Sequence, residues 1–128
     1  MGTIKFKKGS KLVLSTAPEV AFLLPTKTNS EATGPVVIQV TRLKNFHNEV
    51  TVDYRTVSGT ADTTDDYVDT HGTLVFADGE KSKNISVPLI DNAVNDGART
   101  FTVELFNPSP GAFIGTHPSI EVTIGDND

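Results

Sequence analysis

The acidic residues of this chain are clustered. Asp62, Asp65, Asp66 and Asp69 fall in one stretch, Asp91 and Asp96 in a second, and Asp126 and Asp128 at the end of the sequence. Carboxylates gathered without a cation repel one another, raise one another's pKa values and cost stability. A hard divalent ion removes that cost, and calcium accepts about six to eight oxygens from carboxylates, side-chain amides and main-chain carbonyls. Metal binding is therefore the chemistry open to these residues, provided that the fold brings the three groups together. The same acidic stretches read equally well as solvated surface loops, and spacing alone does not separate the two.

Other chemistries find less support. Residues 91–97, Asp-Asn-Ala-Val-Asn-Asp-Gly, have the look of an EF-hand loop, but Ala93 stands at the third ligand position, the glycine comes one place late and no helical pattern flanks it. His47, His71 and His117 are isolated, with no partner at metal-ligand spacing, and read as surface or strand-end residues. Cysteine is absent, which removes disulfides, thiolate metal sites and a cysteine nucleophile. There is no glycine-rich phosphate loop and no nucleophile elbow, so we expect no enzyme. With 16 acidic and 11 basic residues the net charge is -5, which opposes a nucleic-acid partner. No apolar run approaches the roughly 20 residues that span a bilayer, so no membrane insertion by this segment is expected.

The elements that must position the carboxylates are strands. Apolar and polar residues alternate with a period of two through most of the chain, and no stretch of ten residues carries a helical stripe. Val36, Ile38 and Val40 share one face, as do Val50, Val52 and Tyr54. The pattern returns at Leu74 and Phe76, at Ile85, Val87 and Leu89, at Phe101, Val103 and Leu105, and at Ile120, Val122 and Ile124. Ser58-Gly59, Asp78-Gly79, Asp96-Gly97 and residues 107–111 supply the reversals between them. Adding a less regular strand over residues 20–24 makes about seven, the number at which two packed antiparallel sheets become the expected architecture. A chain of 128 residues suffices for one such core. Residues 1–17, Lys-rich and without the apolar core of a secretory signal, read as linker and appended sequence, and residues 18–128 as the domain of a longer protein. Connections in such a sandwich alternate between its ends. If the strands over residues 50–56, 85–89 and 120–124 run the same way, the three acidic groups share one end.

VTVDYRTVSGTADTTDDYVDTHGTLVFADGEKSKNISVPLIDN, RTFTVELFNPSPGAFIG and VTIGDND together resemble the Calx-β family over about residues 18–128. The resemblance rests on Asp53-Tyr54-Arg55-Thr56, Gly59-Thr60-Ala61, Asp66-Tyr67, residues 72–76, Gly79-Glu80, Thr100-Phe101 and residues 123–126. Upstream, Phe22 and residues 31–34 leading into 36–42 match the family's opening strand pair. It implies an all-β, immunoglobulin-like two-sheet antiparallel β-sandwich whose calcium-binding members hold the ions in loops at one end. The ligand positions it implies here are Glu31, Asp66, Asp91, Asn92, the main-chain carbonyl of Val94, Asp96, Asp126, Asn127 and Asp128.

Three residues depart from that pattern. Asn92 and Asn127 keep an oxygen but lose a charge, and Arg99 stands where strong binders carry a glutamate. At an effective dielectric near 20, each lost carboxylate removes on the order of several kcal/mol of attraction for a divalent ion before desolvation is subtracted. The expectation is weak Ca2+ binding, about 10⁻⁴ to 10⁻³ M as in extracellular modules. The function implied is a calcium-binding adhesion or linker module of a larger extracellular or cell-surface protein, with neighbouring domains and other adhesion proteins as partners. A cytoplasmic loop of a membrane protein is the other setting the family offers, and a metal-independent structural repeat the other function.

Overall fold

In a computed structural model the described residues are 17–30, 34–90 and 97–125. Among them lie nine strands: β1 (Glu19–Phe22), β2 (Thr26–Ser30), β3 (Val36–Leu43), β4 (Val50–Ser58), β5 (His71–Phe76), β6 (Ser82–Val87), β7 (Arg99–Phe106), β8 (Phe113–Ile114) and β9 (Ser119–Gly125). They form two sheets, one ordered β6-β3-β1-β8 and the other β2-β9-β7-β4-β5. Alternation fixes which faces meet. Val36, Ile38 and Val40 of the first sheet, and Val52, Phe76, Phe101, Val103 and Val122 of the second, are almost fully buried between the layers. Burying each such side chain contributes about 1.5–3 kcal/mol. Among the described residues no helix is long and apolar enough to cross a membrane.

The seven expected strands are present, and two more join them. β2 (TKTNS) has no apolar residue and so no alternation to detect, while β8 has only two residues. Both also make the sandwich locally parallel, β1 with β8 and β2 with β9. The opening strand is shorter than residues 20–24 because the chain changes sheets there. β1 pairs with β3 as far as Phe22 opposite Val40, and after Pro25 the chain joins β9 at Thr26 opposite Glu121. Leu23 and Leu24 lie in the crossing and are exposed.

One end of the sandwich is fastened by a buried cation. Arg42 shares the inward parity of Val40 and is 1% exposed. Its guanidinium donates to three main-chain carbonyls, from Nε to Asn45 (2.8 Å), Nη1 to Ala77 (3.3 Å) and Nη2 to His47 (2.6 Å). Gly79 donates to the Phe46 carbonyl (2.7 Å), and Asn48 N–H to Asp78 Oδ1 (2.6 Å). The β3–β4 and β5–β6 connections are thereby tied to each other.

Two half-buried carboxylates are held as anions by donors. Asp53 accepts from Asn107 Nδ2 (2.9 Å) and Thr73 Oγ1 (2.7 Å), which lower its pKa in that order. Glu80 is lowered first by the Ala77 N–H and then by Lys83. A depressed folded-state pKa contributes stability above the unfolded value, about 4 for these groups, and loses it as pH falls through the folded value. The melting temperature should thus fall on acidification below about pH 4. Asp53→Asn combined with Glu80→Gln should flatten that acid limb, and an unchanged slope in melts between pH 2 and 5 would contradict the assignment.

Candidate metal centre

The strand directions decide which loops meet. β4 and β9 are both antiparallel to β7 and therefore run the same way. The end of β6 reaches the same place through main-chain bonds. Val68 N–H donates to the Pro88 carbonyl (2.9 Å), Ile90 N–H donates to the Asp66 carbonyl (2.9 Å), and Tyr67 bridges Leu89. Ile90, the last described residue before 91–96, is thus bonded to Asp66. At the neighbouring edge Ser30 and Gly125 are register partners in the parallel β2–β9 pair, and Arg99 faces Ile124 across β7–β9. The described residues that flank 31–33, 91–96 and 126–128 therefore gather at the end opposite Arg42.

Asp66 is the member of the implied ligand set that lies among the described residues, and it is 3% exposed. Its carboxylate Oδ2 accepts the Asp62 N–H (3.0 Å). The Asp62 carbonyl in return accepts from Asp66 N–H (3.1 Å) and Tyr67 N–H (3.2 Å), closing one compact turn. Glu31, Asp91, Asn92, Val94, Asp96, Asp126, Asn127 and Asp128 lie outside the described residues. A buried carboxylate fixed by a main-chain donor is a hard oxygen donor, which fits calcium rather than a softer ion. Among the described residues no three of His, Asp and Glu form a group able to hold a metal.

The other aspartates of that first stretch have local duties. Asp62 Oδ1 accepts the N–H groups of Thr64 (3.0 Å) and Asp65 (2.9 Å), so it shapes the turn that carries Asp66. Asp69 accepts from Thr56 Oγ1 (2.7 Å), and Thr56 in turn accepts from Thr70 N–H (3.0 Å), so Asp69 fastens the return into β5. The spacing of these aspartates shows their proximity; it does not separate these roles.

Three residues that spacing does not single out hold Asp66 in place. The Tyr67 ring stacks on Phe101 with centroids 4.2 Å apart, and its hydroxyl is 2.8 Å from Ser58 Oγ. Gly59 passes so close to β7 that a Cβ there would lie 2.7 Å from the Thr100 carbonyl, which only glycine avoids. Ala61 N–H donates to that same carbonyl (2.7 Å), and Thr100 N–H to Thr60 Oγ1 (2.8 Å). The Gly59-Thr60-Ala61 turn is therefore pinned to the first residues of β7, where Arg99 lies. Arg99 Nη1 donates to the Thr60 carbonyl (3.2 Å), which places a cation at this end of the sandwich.

Two sheets packed face to face, with the Asp66 carboxylate buried at one end, define a β-sandwich domain. The family model of the Calx-beta domain matches residues 15–128, and the chain belongs to that family. The apo-form Calx CBD1 domain superposes with a TM-score of 0.84 at 28% identity, covering 88% of this chain and 99% of that one. The calcium binding domain CBD12 of CALX1.1 gives 0.82 at 29% identity, covering 86% of this chain and 45% of that one. Adhesion G-protein coupled receptor V1 of Danio rerio is 40% identical over 84 residues, which are 66% of this chain and 1% of that protein. Sodium/calcium exchanger 1 of Canis lupus familiaris is 40% identical over 78 residues, which are 60% of this chain and 8% of the exchanger. The chain thus spans a small fraction of the curated relatives it matches.

Proposed function

We propose that this chain is a weak calcium-binding module of a larger extracellular or cell-surface protein, where ion binding neutralises the loop end and stiffens the junction with the next domain. The domain is residues 18–128. What supports the reading is the bond from Ile90 N–H to the carbonyl of the buried Asp66, which holds the residue that precedes 91–96 beside a fixed carboxylate. The neighbouring Ser30–Gly125 pair leads into the segments that carry Glu31 and Asp126. In this reading Glu31, Asp66, Asp91, Asp96, Asp126 and Asp128 supply charge, and Asn92, Asn127 and the Val94 carbonyl supply neutral oxygens. The naming of a solved relative as a calcium binding domain is consistent with it.

Arg99 favours a second reading, a metal-independent structural repeat in which the guanidinium at the loop end takes the place of an ion. Isothermal calorimetry with calcium separates the two. In the first reading Arg99→Glu tightens binding by at least tenfold, since exchanging a cation for a ligand is worth more than about 1.4 kcal/mol. Asp66→Asn weakens it at least as much, while the amide can still accept the Asp62 N–H. Heats unaffected by either change would favour the structural repeat, and weakening by Arg99→Glu would mean that the ion lies elsewhere.

A further inference from the structure

The outer face of the β6-β3-β1-β8 sheet differs in chemistry from the loop end. Among the described residues β6 is an edge strand of that sheet and pairs with β3 alone. Its Ile85 and Val87 enter the core, so Ser82, Asn84 and Ser86 point outward, and all three are exposed. Their register partners on β3 are Thr41, Gln39 and Val37. These six outward positions carry no charge, and the Lys83–Glu80 ion pair (2.9 Å) belongs to residues of the opposite parity and the preceding turn. An exposed six-residue edge strand is open to edge-to-edge pairing unless charge, a bulge or a cover prevents it.

Asn84-Ile85-Ser86 is an N-glycosylation sequon. The strand places its Asn and Ser side by side on the outer face while the middle residue is 1% exposed in the core. The sequence holds one other Asn-x-Ser spacing, Asn107-Pro108-Ser109, which the central proline disqualifies and whose Asn107 Nδ2 is bonded to Asp53. We propose that Asn84 is an N-glycan acceptor, and that the glycan covers the uncharged face and the free edge of β6. The co-reactant is a polyprenyl-diphosphate-linked oligosaccharide. The bond from the sugar C1 to the diphosphate oxygen breaks, a bond from C1 to Asn84 Nδ2 forms, polyprenyl diphosphate leaves, and Nδ2 gives up one proton to a base of the transferase. Transfer precedes folding, because β6 is afterwards held in the ladder with β3. The outward position of Asn84 then lets the domain fold with the glycan attached. The inference rests on the extracellular setting proposed above and is independent of calcium.

The test directs the 128-residue chain through the secretory pathway of a mammalian cell line behind a cleavable signal sequence. The expected product is secreted, carries one N-glycan by intact mass, and loses it to a glycan amidase with conversion of Asn84 to aspartate. Ser86→Ala should be secreted without the glycan and melt at about the same temperature, Ser86→Thr should keep it, and Asn107 should stay unmodified. A secreted chain with bare Asn84 overturns the proposal. So does a glycosylated chain that is retained, or that melts far below the Ser86→Ala chain. Translation into microsomes reads the transfer step by itself, and an unmodified product there also overturns it. Calcium titration of the two secreted forms reports on the metal site separately.

Discussion

Arg42→Ala should lower the stability of the chain by about 3–5 kcal/mol, because it deletes a fully buried side chain and three hydrogen bonds from a charged donor, each worth about 1.5–3 kcal/mol, of which the Ala77 carbonyl alone keeps a second donor in the Glu80 N–H. In a domain of this size that is a drop of roughly 10–20 °C in melting temperature. Asn45, His47 and Ala77 belong to two different connections, so the loss should also loosen them relative to each other. Arg42→Lys keeps the charge but replaces a planar fork with a single ammonium, and should recover only part of the loss. Hydrogen exchange should show the weakening in residues 43–49 and 77–81 before it reaches β7. A fall in melting temperature of only a degree or two for the alanine variant would mean that the carbonyls find other donors.

Tyr67→Ala should cost a similar amount, about 3–5 kcal/mol, as expected for deleting a buried aromatic ring. The ring is 1% exposed, stacks on Phe101 and lies next in sequence to Asp66, so its removal acts on stability and on the site together. Tyr67→Phe separates the two effects. It keeps the stack and loses the bond to Ser58 Oγ, at a cost of about 1 kcal/mol, and should leave the calcium response close to that of the parent chain. If Tyr67→Ala melts normally, the stack is not what fixes the turn that carries Asp66.

The core was legible from the period of two alone, since Val36, Ile38 and Val40 or Phe101, Val103 and Leu105 leave little choice of face. β2 was not legible, because its polar residues gain their place from hydrogen bonds to β9 and not from burial. The same parity that puts Val40 inward also puts Arg42 inward. A charged residue on a core face is then readable as a clamp only once the carbonyls of a distant connection are seen around it. At the loop end, the clustering of aspartates was visible, but their division of labour was not. Asp62 and Asp69 are held by donors from their own turn and from Thr56, contacts set by loop geometry, whereas Asp66 is fixed by its bond to Asp62 and by the neighbouring Tyr67–Phe101 stack. Gly59 carried a signal that spacing does not interpret, namely that a strand crosses at 2.7 Å from where its Cβ would be.

The central claim is that the loop end holds calcium, and the most direct measurement is the melting temperature of the chain in chelator and in 10 mM calcium. A dissociation constant of about 10⁻⁴ to 10⁻³ M gives roughly 1.4–2.7 kcal/mol of stabilisation at that concentration by mass action, a rise of about 5–10 °C. The account predicts that rise for the parent chain, a larger one for Arg99→Glu and a much smaller one for Asp66→Asn. No rise in the parent chain, or an equal rise when magnesium replaces calcium, would contradict it.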